Sequence, residues 1–229
     1  MKKTLLLSGI AIIVLLALTS YEALMVAPTE QTMGDVQRIF YYHVPSGWVA
    51  GLCFLINFLA SAYYLWKKTP GSDALAAASA EVGVVFCSVL LITGPLWARP
   101  VWGIWWTWDA RLTTTLVLWL IYVSYLMLRR LSAGGQPQVL AAALAIFGFA
   151  DVPIVYFSIR WFRTQHPSPV MGGGENSGLA APMLHVFLFN LAAFTVMGML
   201  YMWLRYKLQV AEQQLESAHA QAALTGGNA

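Results

Sequence analysis

Ser79-Ala-Glu-Val-Gly-Val-Val-Phe-Cys-Ser-Val-Leu-Leu-Ile-Thr-Gly-Pro-Leu-Trp97-Ala98 is a run of twenty residues in which Glu81 is the one charge. At about 1.5 Å per residue, a helix of this length covers about 30 Å, the thickness of a bilayer's hydrocarbon core. Five further apolar runs lie near residues 5–26, 46–66, 113–131, 139–159 and 182–204. The chain of 229 residues is 59% hydrophobic and 10% charged, with a mean hydropathy of +0.65. A soluble domain carries about 25% charged residues, so this sequence lacks the polar surface that water demands. It reads as an all-α, polytopic membrane protein: six transmembrane helices bundled over residues 1–208, then a cytoplasmic tail at 209–229. Composition excludes disorder, a nucleic-acid-binding domain and an ordinary cytosolic enzyme. Membrane lipid is the expected surrounding, and no nucleic acid is an expected partner. Cys53 and Cys87 each fall inside an apolar run and read as packing residues.

The first run follows Lys2-Lys3 and so resembles a signal peptide. Its apolar stretch continues to Val26 without a small-x-small cleavage site, which favours a retained helix. A cytoplasmic N-terminus puts eight of the 13 basic residues inside and five outside, and favours both termini inside. All the lysines then lie inside. The outer basic residues are Arg38, Arg99, Arg111, Arg160 and Arg163. A lysine serves topology as a point charge, whereas the planar fork of arginine can grip a carboxylate by two hydrogen bonds.

Trp97-Ala-Arg-Pro-Val-Trp102-Gly-Ile-Trp105-Trp106-Thr-Trp108-Asp109-Ala-Arg111 is the unusual segment. Five of the ten tryptophans fall within its first twelve residues. Pro100 suits the first turn of a short surface helix. On helical spacing Trp102, Trp105, Trp106 and Asp109 share one face, and Trp108 points elsewhere. The result is an aromatic shelf along the outer membrane surface, ending in a carboxylate. An interfacial aromatic belt with Asp109 capping the next helix is the plainer reading.

Of the four histidines, His43 precedes the second span and His166 follows the fifth, both on the outer side. His185 lies a few residues into the sixth span, and His219 is in the tail. Imidazole binds iron well, and two histidines on opposite segments can take both axial positions of a flat macrocycle. A porphyrin also offers an apolar face for aromatic packing and two propionates for arginine. The set reads as a haem site at the outer edge of the bilayer.

The stretch Trp102-Gly-Ile-Trp105-Trp106-Thr-Trp108-Asp109-Ala-Arg111 resembles the WWD motif of haem-handling membrane proteins. With Tyr41-Tyr42-His43-Val44-Pro45, six helices and a short chain, the sequence most resembles the CcmC family, haem exporter protein C of bacterial cytochrome c maturation. The resemblance implies haem b bound at the periplasmic face of the inner membrane. His43 and His166 would be the axial ligands, and Trp102, Trp105, Trp106, Trp108 and Asp109 the platform. Arg38, Arg99, Arg111 and Arg163 are candidates for the propionates. It also implies partners: the haem chaperone CcmE, to which haem becomes covalently attached, the small helper CcmD, and the CcmA/CcmB ABC transporter subunits. His185 has no counterpart in the family pattern and is expected to pack between helices. One haem is expected.

Absences narrow the chemistry. No Cys-x-x-Cys-His marks a c-type cytochrome, and no Gly-x-x-x-x-Gly-Lys-Ser/Thr marks an ATPase, so the chain is expected to deliver haem rather than act as an enzyme. Two other classes use similar residues: a b-type electron-transfer subunit and a transporter that moves haem through the bilayer. The first favours ligands on facing transmembrane helices, and the second a polar path at mid-membrane. The spans hold little beyond Asp151, Asn57 and some hydroxyls. Asp151 departs from the family pattern and stands outside the expected site.

Overall fold

Every span found by hydropathy is helical in the structure, a computed structural model that describes residues 2–131, 137–167, 169 and 178–226. The order is α1 (Lys2–Tyr21), α2 (Phe40–Lys67), α3 (Pro70–Trp102), α4 (Ala110–Leu131), α5 (Pro137–Phe149), α6 (Asp151–Trp161) and α7 (Ala181–Gly226). A π-helical turn, Glu22–Val26, extends α1, and a 3-10 turn, Asp35–Ile39, leads into α2. Among the described residues the regular structure is helical, and six helical stretches are long and apolar enough to cross a membrane.

Several helices run past the apolar runs that announce them. The second stretch covers Asp35–Lys67 and the third Pro70–Trp102, where hydropathy marks only 46–66 and 79–98. Hydropathy detects the part that suits hydrocarbon, whereas backbone hydrogen bonding continues into the polar flanks. A tight turn joins these two helices. Lys68 takes a left-handed conformation (φ 55°) and its N–H donates to the Tyr64 carbonyl at 2.8 Å. Thr69 then caps α3, with Pro70 at its first position, where a missing N–H costs nothing.

The fifth stretch is broken in two. Pro153 has no N–H and its ring crowds the carbonyl four residues back, so α5 ends at Phe149 and α6 starts at Asp151. One oxygen of the Asp151 carboxylate is buried without a hydrogen-bond partner.

The core lies between α2, α3 and α7, where small residues let backbones approach. A Cβ on Gly83 would sit 2.6 Å from the Phe54 ring, and one on Gly198 would sit 2.5 Å from Val49. Phe54 in turn stacks on Tyr122 with centroids 3.8 Å apart. Cys53 and Cys87 are buried in this core as free thiols. At the end of the bundle away from the tryptophan-rich segment, Arg129 grips Asp73 with two nitrogens, at 2.5 and 2.8 Å. Gln213 donates to the same carboxylate, and Arg205 and Gln209 donate to Glu81. These contacts hold the first turns of the 209–229 tail, which α7 continues without a break to Gly226. Residues 227–229, part of the expected tail, lie outside the described residues.

Candidate functional site

His43 does not precede the second helix, as expected, but lies inside its opening turns. Helix α2 starts at Phe40 because the 3-10 turn before it is secured by Arg38. That guanidinium donates to the carbonyls of Ala23, Leu24 and Ala27 at 2.9–3.0 Å and to Asp35 at 3.1 Å. The His43 Nδ1 lies 2.9 Å from the Thr93 hydroxyl of α3. The Thr93 hydroxyl also reaches the Val89 carbonyl at 2.7 Å, so its single proton goes either there or to His43 Nδ1. With the Thr93 proton on Val89, the imidazole proton sits on Nδ1 and Nε2 keeps its lone pair, which is the tautomer that a metal-binding His43 requires. The Trp97 ring meets the imidazole edge-on, 5.9 Å away at 78°.

His166 is built the same way from a different element. Helix α6 ends at Trp161, and Phe162 turns extended, which releases the chain into a loop. The His166 Nδ1 lies 2.8 Å from the Pro167 carbonyl. A carbonyl only accepts, so Nδ1 again carries the proton and Nε2 is free. Burial pushes the His166 pKa down to about 4, helped by the nearby Arg111 charge and opposed by the Pro167 carbonyl and Asp109. The fields of His166 and Arg111 both reach the His43 ring, so the three side chains share one neighbourhood.

The tryptophan segment does not form the expected short helix. Helix α3 continues through Pro100 to Trp102, and Gly103 then stops it with φ 79°, its N–H bonded to the Arg99 carbonyl at 3.0 Å. A left-handed glycine at this place is a helix terminator. Residues 103–109 form a loop, and the four tryptophans therefore do not follow helical spacing. Trp102 and Trp106 are half-buried, whereas Trp105 is 57% and Trp108 76% exposed. Trp106 meets Trp108 edge-on at 5.8 Å, and its indole N–H is buried without a partner.

Asp109 ends this loop. Its Oδ1 accepts the Leu112 N–H at 3.0 Å, which caps α4 as the plainer reading expected. Its Oδ2 accepts the Thr164 hydroxyl at 2.7 Å and the Thr107 hydroxyl at 3.3 Å. Burial alone would raise the Asp109 pKa. The donors Leu112, Thr164, Thr107 and Gln165 outweigh it and hold the carboxyl below its usual range.

The four candidate arginines part company. Arg38 is committed to the end of the first span. Arg99 donates to the Gly103 carbonyl and is exposed. Arg163 lines an open cleft with Thr107, Asp109, Thr164 and Gln165. Arg111 has a buried guanidinium nitrogen with no hydrogen-bond partner. A charged donor left unmatched in an apolar setting is costly, so this one suits an incoming anion. Two imidazoles whose Nε2 atoms face away from their anchors, a guanidinium with one unmatched nitrogen, an unmatched indole N–H and loose aromatic surface fit an iron porphyrin with carboxylate arms.

Sequence reasoning missed Thr93, Trp97 and Thr164. The first two stand four residues apart in an apolar helix, and nothing in the string marks their relation to His43. His185, expected to pack between helices, is exposed on α7.

Residues 1–221 match the family described as heme exporter protein C, CcmC. The chain belongs to that family. It is 35% identical over 189 residues to heme exporter protein C of Bradyrhizobium diazoefficiens, covering 82% of this chain and 71% of that one. Against heme exporter protein C of Escherichia coli strain K12 it is 34% identical over 184 residues, with 76% and 73% covered. A putative cytochrome c biosynthesis ccmC-like mitochondrial protein of Marchantia polymorpha is 31% identical over 188 residues, with 82% and 80% covered. As a CcmC family member this is a haem-handling, multi-pass membrane protein of cytochrome c biogenesis.

Proposed function

We propose that the protein holds haem b at the periplasmic face of the bacterial inner membrane and presents it to the chaperone CcmE for covalent attachment. The observation that carries this reading is the matched state of two histidines. His166 commits its Nδ1–H to the Pro167 carbonyl and the Nδ1 of His43 is held by the Thr93 hydroxyl, so in each ring Nε2 is the nitrogen turned away from the anchoring oxygen. A second-sphere bond of this kind orients a metal-binding imidazole and raises its basicity. Haem supplies an iron with two axial positions and a vinyl edge for the partner. His43 and His166 would hold the iron, and Arg111 would meet a propionate, with Arg163 and Arg99 as further cations at the rim. The Trp102–Asp109 loop packs on the macrocycle, and the exposure of Trp105 and Trp108 leaves aromatic surface for CcmE.

In this reading residues 1–208 form one haem-handling domain, with both termini in the cytoplasm and 209–229 as the cytoplasmic tail. CcmD and the CcmA/CcmB ABC subunits complete the assembly, and release of loaded CcmE draws on their ATPase. This subunit itself binds and delivers.

The test is spectroscopic. The purified protein should carry b-type haem with two nitrogen axial ligands. His43→Ala and His166→Ala should each weaken retention, with partial recovery in exogenous imidazole. Wild-type spectra from both variants would overturn the ligand assignment. Cells with an inactive ATPase should still form covalent haem on CcmE, and its absence there would overturn the presentation role.

A further inference from the structure

The carboxylate of Asp109 gathers donors from three separate pieces of chain. Thr107 belongs to the tryptophan loop, the Leu112 N–H to α4, and Thr164 with the Gln165 N–H to the loop after α6. Thr164 differs from the others because its hydroxyl does two things. It donates to Asp109 Oδ2 at 2.7 Å and accepts the backbone N–H of His166 at 3.1 Å. A hydroxyl has one proton and spare lone pairs, so both bonds form at once without competition. The chain of contacts runs from a helix cap to a hydroxyl to the backbone of the loop histidine. His166 otherwise sits at a bend in the loop that follows the end of α6.

We infer that Thr164 is the positioning residue for His166, relaying the fixed place of Asp109 to the imidazole that the proposed haem site needs. This rests on the reading of His166 as an axial ligand. It assigns Asp109 a task apart from contact with the macrocycle: the last residue of the tryptophan motif acts on the site through the opposite loop. His43 is anchored independently by Thr93, so disturbing Thr164 affects one axial position and spares the other.

Thr164→Val keeps the side-chain shape and removes both hydrogen bonds, and Thr164→Ser restores them. The membrane protein is purified with each change and with His166→Ala, and haem content, electron paramagnetic resonance and absorption spectra are recorded. In the haem-free protein, the rate at which His166 reacts with diethylpyrocarbonate is followed by mass spectrometry. For Thr164→Val we expect about a tenfold weaker haem retention, a high-spin fraction that imidazole converts to low spin, and faster His166 modification. Thr164→Ser should match wild type. If Thr164→Val fails to accumulate, Thr164→Ala is read in its place. Wild-type retention and spin state in Thr164→Val, beside loss in His166→Ala, would overturn the relay and leave the ligand reading intact. A wild-type spectrum in His166→Ala would overturn the ligand reading, and the relay with it. Lower haem content that stays wholly low-spin and ignores imidazole would mean that Thr164 only supports the fold, which also overturns the relay.

Discussion

The Nδ1 of His43 and the Oγ1 of Thr93 lie 2.9 Å apart, joining α2 to α3 across 50 residues of chain. This contact holds the His43 ring by Nδ1 and leaves Nε2 as the nitrogen for a metal. Thr93→Val should therefore weaken haem retention about tenfold, as loss of an outer partner of a metal-bound histidine does. Thr93→Ser should retain it. Haem titration followed by absorbance checks both, and an unchanged affinity in Thr93→Val would rule out the role.

The exposed tryptophans separate assembly from delivery. Trp105→Leu and Trp108→Leu alter side chains that pack little within the chain, so stability should shift by no more than about 0.5 kcal/mol. Haem transfer to CcmE should nevertheless fall while the protein accumulates normally in the membrane. Full transfer in both variants would reduce these residues to an interfacial belt.

Acid should affect His166 late. An exposed histidine takes up a proton near its ordinary value of 6.5, whereas His166 does so only at about 4. Its folded-state pKa is depressed, so the stability tied to its neutral form is complete above 6.5 and is lost as the pH falls towards 4. Diethylpyrocarbonate needs a neutral imidazole, so the fraction of reactive His166 should stay level from pH about 7 down to about 5 and drop near 4. A midpoint near 6.5 would contradict the half-buried, Arg111-flanked setting.

Two arginines should fail in opposite ways. Arg38→Ala strips donors from three carbonyls at the end of the first span, and should lower stability by roughly 1–3 kcal/mol with an unchanged haem spectrum in the protein that remains. Arg111→Gln removes the guanidinium with its unmatched nitrogen and should lower haem retention with normal accumulation. Thermal denaturation and haem content, measured side by side, distinguish the two. Equal haem loss from both would contradict this division of roles.

The six spans were legible because a membrane imposes one length and one polarity on every crossing. The candidate ligands, the tryptophan motif and Asp109 were legible because such residues are rare in so apolar a chain. What the sequence concealed was conformation at a single residue and pairing across long separations. Helical spacing suggested a shared face for Trp102, Trp105, Trp106 and Asp109, but a positive φ at Gly103 cancels that periodicity. Thr93 and Thr164 look like ordinary hydroxyls, since threonine within a helix commonly bonds back to its own turn, as Thr93 does. Arg38 and Arg111 are indistinguishable as letters. One serves three carbonyls and the other has a nitrogen left without a partner.

The two halves of the site also differ in when they can exist. His43 meets Thr93 as soon as the third helix has joined the second. Asp109 must wait for Thr164, which emerges 55 residues later, after α4, α5 and α6 have been made. At the usual pace of synthesis that interval lasts on the order of several seconds. A nascent chain therefore passes through a stage with one imidazole anchored and its counterpart not yet translated. If the two histidines hold haem as proposed, a ribosome that stalls in this window yields a fragment with only one of them, which cannot grip a macrocycle from both sides.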